Sequence, residues 1–416
     1  MKKSVFPALC LVAALGAAAQ TSDYDKALAA FGRYNFEEAE SLLDTYSSKR
    51  KKDQIAADRI ENPYKAGMYS DRVDDLAERI ALGRNMLERV EKVAIVDSMT
   101  VDRDEFFRHF RLDPSTGRLL STDQAERFPG KADEVVTPVY VSGDGEMMLW
   151  VDTSEADGNA SFRLMESWLL ADGSWETPRA LFDRSTVFGD DCPGQIYAPF
   201  MMADGVTLYF AADGPQSLGG LDIFIARRDG DDGFLQPSNI GMPYNSPAND
   251  YMMVIDEVTG AGWWATDRNT DEDHVKIYIF KNSDLRSNYP SDTESIESYA
   301  MLSRFTPADG AVRADIFGAL NALNHRKSAE AAFEFAMPDG RIMTRITDFR
   351  SSEAREAMEE WLEMNATVAR NRSELESLRM SRDATRGEIA AREDELERNL
   401  KKLKQLANYV VNSEIR

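Results

Sequence analysis

Hydrophobic and polar positions alternate with period two between Asp204 and Pro237, and turn residues break the alternation at regular points. Asp204-Gly205 makes a tight turn, and Val206–Ala211 reads as a strand. Gly219-Gly220 interrupts the chain, and Leu221–Ala226 alternates again. Asp229–Gly233 is a turn cluster ahead of Phe234-Leu235 and Pro237. The same order appears about 60 residues earlier, with Asp144-Gly145, Glu146–Val151, Phe162–Leu170, the turn Ala171–Ser174, Trp175 and Pro178. A looser third unit follows at a spacing nearer 50. It has Tyr251–Ile255, Thr259-Gly260, Ala261–Thr266 with Trp263 and Trp264, the polar loop Asp267–Asp273, and Val275–Phe280. Self-similarity at this period predicts repeated small antiparallel sheets, as in a propeller or solenoid.

On either side the period changes to that of a helix. Ala27, Ala30 and Phe31 share one helical face, and Phe36, Ala39, Leu42 and Leu43 share another after the connection Tyr34-Asn35. This pair resembles a tetratricopeptide-type helical hairpin with Ala39 at its small position, although the usual Trp and closing Pro are absent. Asp71–Val93 adds a further apolar face, and the basic run Lys49–Lys52 reads as a solvated helix end. A single hairpin cannot bury its own face, so these helices are expected to pack on another part of the chain. Val93–Val101 is the first convincing strand, which sets the boundary of the β region near residue 94. Asp104–Phe110 is rich in aromatics, and Pro114–Gly117 is a turn. Ala331–Phe335 and Ile342–Phe349, joined by Pro338-Asp339-Gly340, read as a hairpin that either closes the β region or stands apart. Ser351–Val410 has no proline. Trp361, Val368, Leu375, Ile389, Leu396, Leu403 and Val410 recur there at multiples of seven. The pattern predicts one long helix over 350–416 with an incomplete coiled-coil seam, which either folds back on the N-terminal helices or self-associates through 351–410.

The first 19 residues form a secretory leader in this reading. Lys2 and Lys3 precede the apolar run Val5–Leu15, and Ala17-Ala18-Ala19 precedes Gln20. The run is too short to span a bilayer, and Cys10 lies too early in it for a lipidated first residue. The mature chain, beginning at Gln20, is expected to be exported and to lack a transmembrane segment. It would hold Cys192 alone, so no internal disulfide can form. Formal net charge is −23, and removing Lys2 and Lys3 brings it to −25. That field repels phosphate backbones and disfavours nucleic acid as a partner.

The repeats carry a family resemblance. Asp204, Gly205, Leu208, Tyr209 and Phe210 match the D-G-x-x-L-Y-F strand of the WD40-like β-propeller repeat (PD40 type, found in TolB-like propellers). Gly219, Gly220, Asp222, Ile223 and Phe224 match its G-G-x-D-I-(Y/F) step. Asn239, Ile240, Gly241, Pro243, Asn245, Ser246, Asn249 and Asp250 match the connection that follows. The match is close over about 55 residues and loose over about 150. The first unit lacks the Gly-Gly-Leu-Asp step, and the third lacks its glycines. With the helical segment and the leader, the whole resembles envelope proteins of Bacteroidetes. That resemblance implies a link to outer-membrane or type IX secretion assemblies, although the peptidoglycan-binding C-terminal domain of some relatives has no counterpart here.

Candidate chemistry is sparse. His109, His274 and His325 lack ligand-like spacing, and no G-x-S-x-G or H-E-x-x-H occurs. Asp172-Gly173-Ser174-Trp175 has the wrong spacing for a sialidase Asp-box and reads as a hairpin turn. Oxygen-rich loops can hold Ca²⁺, and the densest, with Asp229, Asp231 and Asp232, is the metal candidate against a plain solvated turn. Asp190-Asp191 and Asp267–Asp273 are others.

These readings combine into a multidomain α+β protein. A leader (1–19) precedes a helical segment (20–93), a propeller-like β domain (94–349, clearest over 137–300, with room for about five blades) and a long helix (350–416). The expected role is a non-catalytic interaction scaffold of the periplasm or cell envelope that needs no cofactor and binds envelope proteins. A propeller that binds glycan or peptide, with weak hydrolase activity, is the alternative.

Overall fold

The computed structural model describes residues 22–61, 67–121, 135–156, 159–183, 195–230, 233–283, 285–290, 292–330, 333–338, 341–380 and 385–415. The leader, Cys192, Asp190-Asp191, Asp231 and Asp232 lie outside them. The fold is mixed α+β, and the chain divides into two compact units, 1–320 and 321–416. Among the described residues no helix is long and apolar enough to cross a membrane.

The first unit opens on α1 (Asp23–Gly32) and α2 (Phe36–Lys49). Ser22 and Asp25 form a capping box on α1, and Asn35 caps α2 through Glu38 N at 3.3 Å. A short helix α3 (Lys52–Ala57) and the two-stranded pair β1 (Arg59–Glu61) and β2 (Tyr69–Asp71) lead to α4 (Arg72–Leu87). As the sequence requires, the apolar faces of these helices do not close on themselves. Phe31, Phe36, Ala39 and Ile80 share one buried cluster with Leu218 and Met242 from the sheet region and with Ala300. Gly83 in α4 allows Phe36 to approach closely, because a Cβ there would lie 2.5 Å from the ring.

Three sheets follow, antiparallel except for a short strand that pairs parallel at one edge of the third. The first has the order β4 (Arg118–Leu120), β5 (Val135–Val141), β6 (Met147–Ala156), β7 (Asn159–Trp168), β8 (Arg179–Asp183). The second runs β9 (Ile196–Met201), β10 (Thr207–Ala212), β11 (Asp222–Arg227), β12 (Ser238–Asn239). The third contains β13 (Asp250–Asp256), β14 (Ala261–Thr266) and β15 (His274–Lys281). It is completed by β3 (Ala94–Asp102), which precedes the first sheet in sequence and pairs antiparallel with β15. The two-residue β16 (Thr306–Pro307) lies beside β3.

Every residue of β9, β10, β13 and β14 is buried, so both faces of these strands are covered. Rings interlock between sheets. Tyr140 meets Phe200 with centroids 5.2 Å apart, Phe182 stacks on Phe210, and Tyr197 meets Tyr251. Trp263 and Trp264 are both buried. The expected strands of each unit are found within a few residues of their predicted bounds. Reading from the turn onward left out β4 and, in each of the first two sheets, the strand just ahead of the Asp-Gly turn, β5 or β9. β5 and β9 each hold a proline, Pro138 or Pro199, and each is bulged there, with register shifts between Val136 and Tyr140 and opposite Ala198-Pro199. A bulge is where a strand tolerates the missing donor.

Among the described residues three sheets are found where the length allowed about five, and the last strand of this region is β16. After the short α5 (Ile296–Ala300), Asp309 accepts Ala311 N at 2.7 Å and starts α6 (Gly310–Glu330), which buries Ile316, Leu320 and Leu323.

In the second unit, β17 (Phe335–Ala336) pairs with β18 (Ile342–Met343), a short pairing within the predicted hairpin, and the predicted second strand Ile342–Phe349 passes into a 3-10 turn at Ile346–Asp348. The single long helix is a correction. The residues fold as α7 (Ser352–Met380) and α8 (Arg386–Ile415), which pack on each other. The break has a local cause: Thr385 and Glu388 form a reciprocal capping box that starts α8. Arg392 of α8 reaches Glu374 of α7 at 2.9 Å. At the far end buried Glu414 accepts Arg350 N and Ser351 N, ahead of the first turn of α7. The heptad stripe is thus divided over two helices of one chain, with Val368, Leu375 and Val410 buried.

Gly83→Ala adds helix propensity worth about 1 kcal/mol but drives a methyl into Phe36, and overpacking of this kind costs about 1–3 kcal/mol. The expected result is a lower melting temperature by circular dichroism. A higher one would contradict the close packing of α2 on α4.

Candidate functional site

The repeat motif residues converge on one buried polar cluster where the second sheet passes into the third. Asp222 opens β11 and is fully buried. Its carboxylate accepts Leu218 N at 2.9 Å, Gly219 N at 3.2 Å and Asn239 Nδ2 at 2.6 Å. Asn245 accepts Ile223 N at 2.8 Å, and its Nδ2 donates to Ile223 O and Asn239 Oδ1. Ser246 donates to Asp250 at 2.9 Å. Arg268, just beyond β14, donates to Asp250 Oδ1 at 2.8 Å and to Pro243 O at 2.7 Å, and also to Tyr244 O. Asn249 and Tyr251 both reach Asp267.

The remaining motif positions serve the same construction. Asp204 closes the turn at Gly205 by accepting Val206 N and Thr207 N, each at 2.8 Å. Phe210 lies between Phe182 and Phe224 in the core. Gly241 sits in the turn that presents Asn245. Gly219 must be glycine, because a Cβ would lie 1.9 Å from Ala248 O, and Gly220 faces Asn249 as closely. The N-terminal helices lock onto the same loops. Arg79 of α4 donates to Gly219 O, and Tyr34, between α1 and α2, is buried in the cluster that Leu218 and Met242 join. Burial pushes the Tyr34 hydroxyl up to about 12.

The first unit lacks the Gly-Gly-Leu-Asp step and uses another device. Buried Glu166 of β7 takes Arg179 at 2.5 Å and Arg228, from the end of the second sheet, at 2.5 Å. Neither Glu166 nor Arg268 stands out in the sequence, because their partners are distant along the chain.

The other candidates are accounted for singly. Asp229 accepts Gly233 N at 2.9 Å across its turn, while Asp231 and Asp232 lie outside the described residues. Asp172 accepts Ser174 N, which makes that segment a plain turn. His274 pairs with Asp271 at 2.5 Å, and that bond raises its pKa. His109 is exposed, and the side chain of His325 is outside the described set. Among the described residues no group of three His, Cys, Asp or Glu side chains is placed to hold a metal ion.

Beside the polar cluster lies a cavity of about 280 Å³ between the ends of the second and third sheets. Tyr209, Tyr244, Met253, Ile255 and Phe280 form its apolar lining. Glu91, Glu257, Lys92, Lys281 and Arg286 supply its charges. Glu91, just ahead of β3, accepts the Tyr244 hydroxyl at 3.1 Å and faces Arg286 Nε at 3.4 Å. Burial pushes the Glu91 carboxyl up, and Arg286 and Tyr244 oppose that shift. The motif residue Tyr209 is the one that reaches this cavity.

Burial raises the Asp222 carboxyl to about 7, with the nearby Asp250 carboxylate adding to the shift, and burial raises Asp250 as well. A raised acid binds its proton more tightly in the folded state. Its contribution to stability is therefore present at low pH and is lost as pH climbs from about 4 towards 7. Asp222→Asn removes that loss along with one acceptor. The variant is expected to be destabilised by about 1–3 kcal/mol at pH 5, with a smaller deficit at pH 8. Urea unfolding at the two pH values measures the difference, and a deficit that grows with pH would contradict it.

No family model, curated protein or solved structure matches this chain.

Proposed function

We propose that this chain is a non-catalytic, exported interaction scaffold of the bacterial cell envelope, built on a propeller-like succession of sheets. Three consecutive sheets, the last completed by a strand from ahead of the first, support the propeller-like reading. The leader pattern of residues 1–19 supports export. The link to outer-membrane or type IX secretion assemblies rests on the repeat resemblance alone.

The observation that carries the scaffold reading is the placement of exposed apolar side chains. They recur at the corresponding end of each sheet, where the Asp-Gly-type turn and the exit of the third strand lie. These are Trp168, Leu169 and Leu170 in the first sheet, Val206 and Leu235 in the second, and Val258 and Leu285 in the third. The polar residues of the repeat are turned inward onto backbone groups, so these ends are held on a rigid frame. Exposed apolar side chains grouped at the sheet ends are a surface on which a partner protein can dock.

The test is affinity capture by residues 20–416 from crosslinked envelope extract, beside a Leu169→Asp, Leu235→Asp double variant. The expected result is stoichiometric recovery of one defined envelope protein by the parent chain and its loss from the variant, with melting temperatures unchanged. Retention on glycan columns with no protein recovered would overturn the scaffold in favour of the glycan-binding alternative.

A further inference from the structure

The cavity between the second and third sheets combines features that a rigid apolar gap does not need. Tyr209, Tyr244, Met253, Ile255 and Phe280 give it one apolar side, and polar atoms make up the larger share of its lining. Its mouth carries Lys92, Lys281 and Arg286, all exposed, in a chain whose net charge is −23. Against these three cations the described lining sets two acids, Glu91 and Glu257. Glu91 is inside, tied to the Tyr244 hydroxyl and to Arg286 Nε, which fixes the guanidinium beside the mouth while its side chain stays 48% exposed. Leu285 stands on the lip with 84% of its surface exposed, an apolar side chain left uncovered at the entrance. A volume of about 280 Å³ is at the small end of ligand sites and suits one large residue, not a polymer.

We propose that this cavity binds the carboxy-terminal residue of a partner polypeptide, with a bulky apolar side chain against Tyr209, Tyr244 and Phe280 and the free α-carboxylate on Arg286 and Lys281. Guanidinium and ammonium groups beside apolar side chains match a carboxylate that is fixed to an apolar group. Glu91 acts as the positioning residue for Arg286. The proposal deepens the scaffold reading by naming the chemistry through which one partner is held.

The experiment uses the chain 20–416 and a fluorescent tetrapeptide ending in phenylalanine. It compares the free acid, the C-terminal amide and decanoate. The free acid is expected to bind at least tenfold more tightly than the amide. Lys281→Ala, an exposed position, is expected to weaken the acid severalfold with no change in melting temperature, and Leu285→Ser to weaken acid and amide alike. Equal binding of acid and amide would overturn the proposal, as would binding of decanoate with no peptide bound. The scaffold reading is judged separately. If the envelope partner is still captured in full by Lys281→Ala and in the presence of excess free-acid peptide, the terminus proposal fails and the scaffold stands.

Discussion

The ion pair between Asp250 and Arg268 has no solvent to fall back on. Both side chains are buried, so each charge needs the other and needs hydrogen bonds for its remaining atoms. Arg268 meets that need by donating to the carbonyls of Pro243 and Tyr244, which fixes the loop joining the second sheet to the third. Ser246 then completes Asp250, and Arg268 also donates to the carbonyl of Ala300, a residue of the helical cluster, at 3.5 Å. One buried pair therefore ties together a sheet-to-sheet connection and the seat of the N-terminal helices. Removing one partner of such a pair strands a charge at a cost of about 3–5 kcal/mol.

This explains why the longest polar motif in the chain carries no open chemistry of its own. Asp222, Asn239, Asn245 and Asn249 lie where backbone donors and carbonyls would otherwise go unpaired, and Gly219 and Gly220 let two loops meet at backbone distance. The surfaces proposed for binding lie elsewhere, at the sheet ends and in the adjoining cavity. Tyr209 is the motif residue that reaches the cavity, and Tyr244 reaches it from the motif loop. The frame thus presents the site without forming it.

Much of this was legible in the chain, for local reasons. Period-two alternation and Asp-Gly turns mark the strands of each sheet, and small residues mark the helical hairpin. The strands ahead of the Asp-Gly turns of the first two sheets were hidden by Pro138 and Pro199, whose missing donors are absorbed by bulges that only the paired strand reveals. Pairing of β3 with β15 joins residues far apart in sequence and has no local signature. The same holds for Arg268 and for Glu91, whose roles come from neighbours that folding supplies. The division of the C-terminal helix is different. Thr385 and Glu388 form a capping box that can be read from four residues, and the sustained heptad spacing concealed it.

Native-state hydrogen exchange of Arg268→Met, measured against the parent chain, tests the buried pair most directly. If Asp250 and Arg268 hold the frame, protection is lost together in α1, α2, α4, β11 and β13, while α7 and α8 of the second unit keep theirs. Loss confined to the Pro243–Asn245 loop, with α1 and α2 as protected as in the parent, would contradict the account.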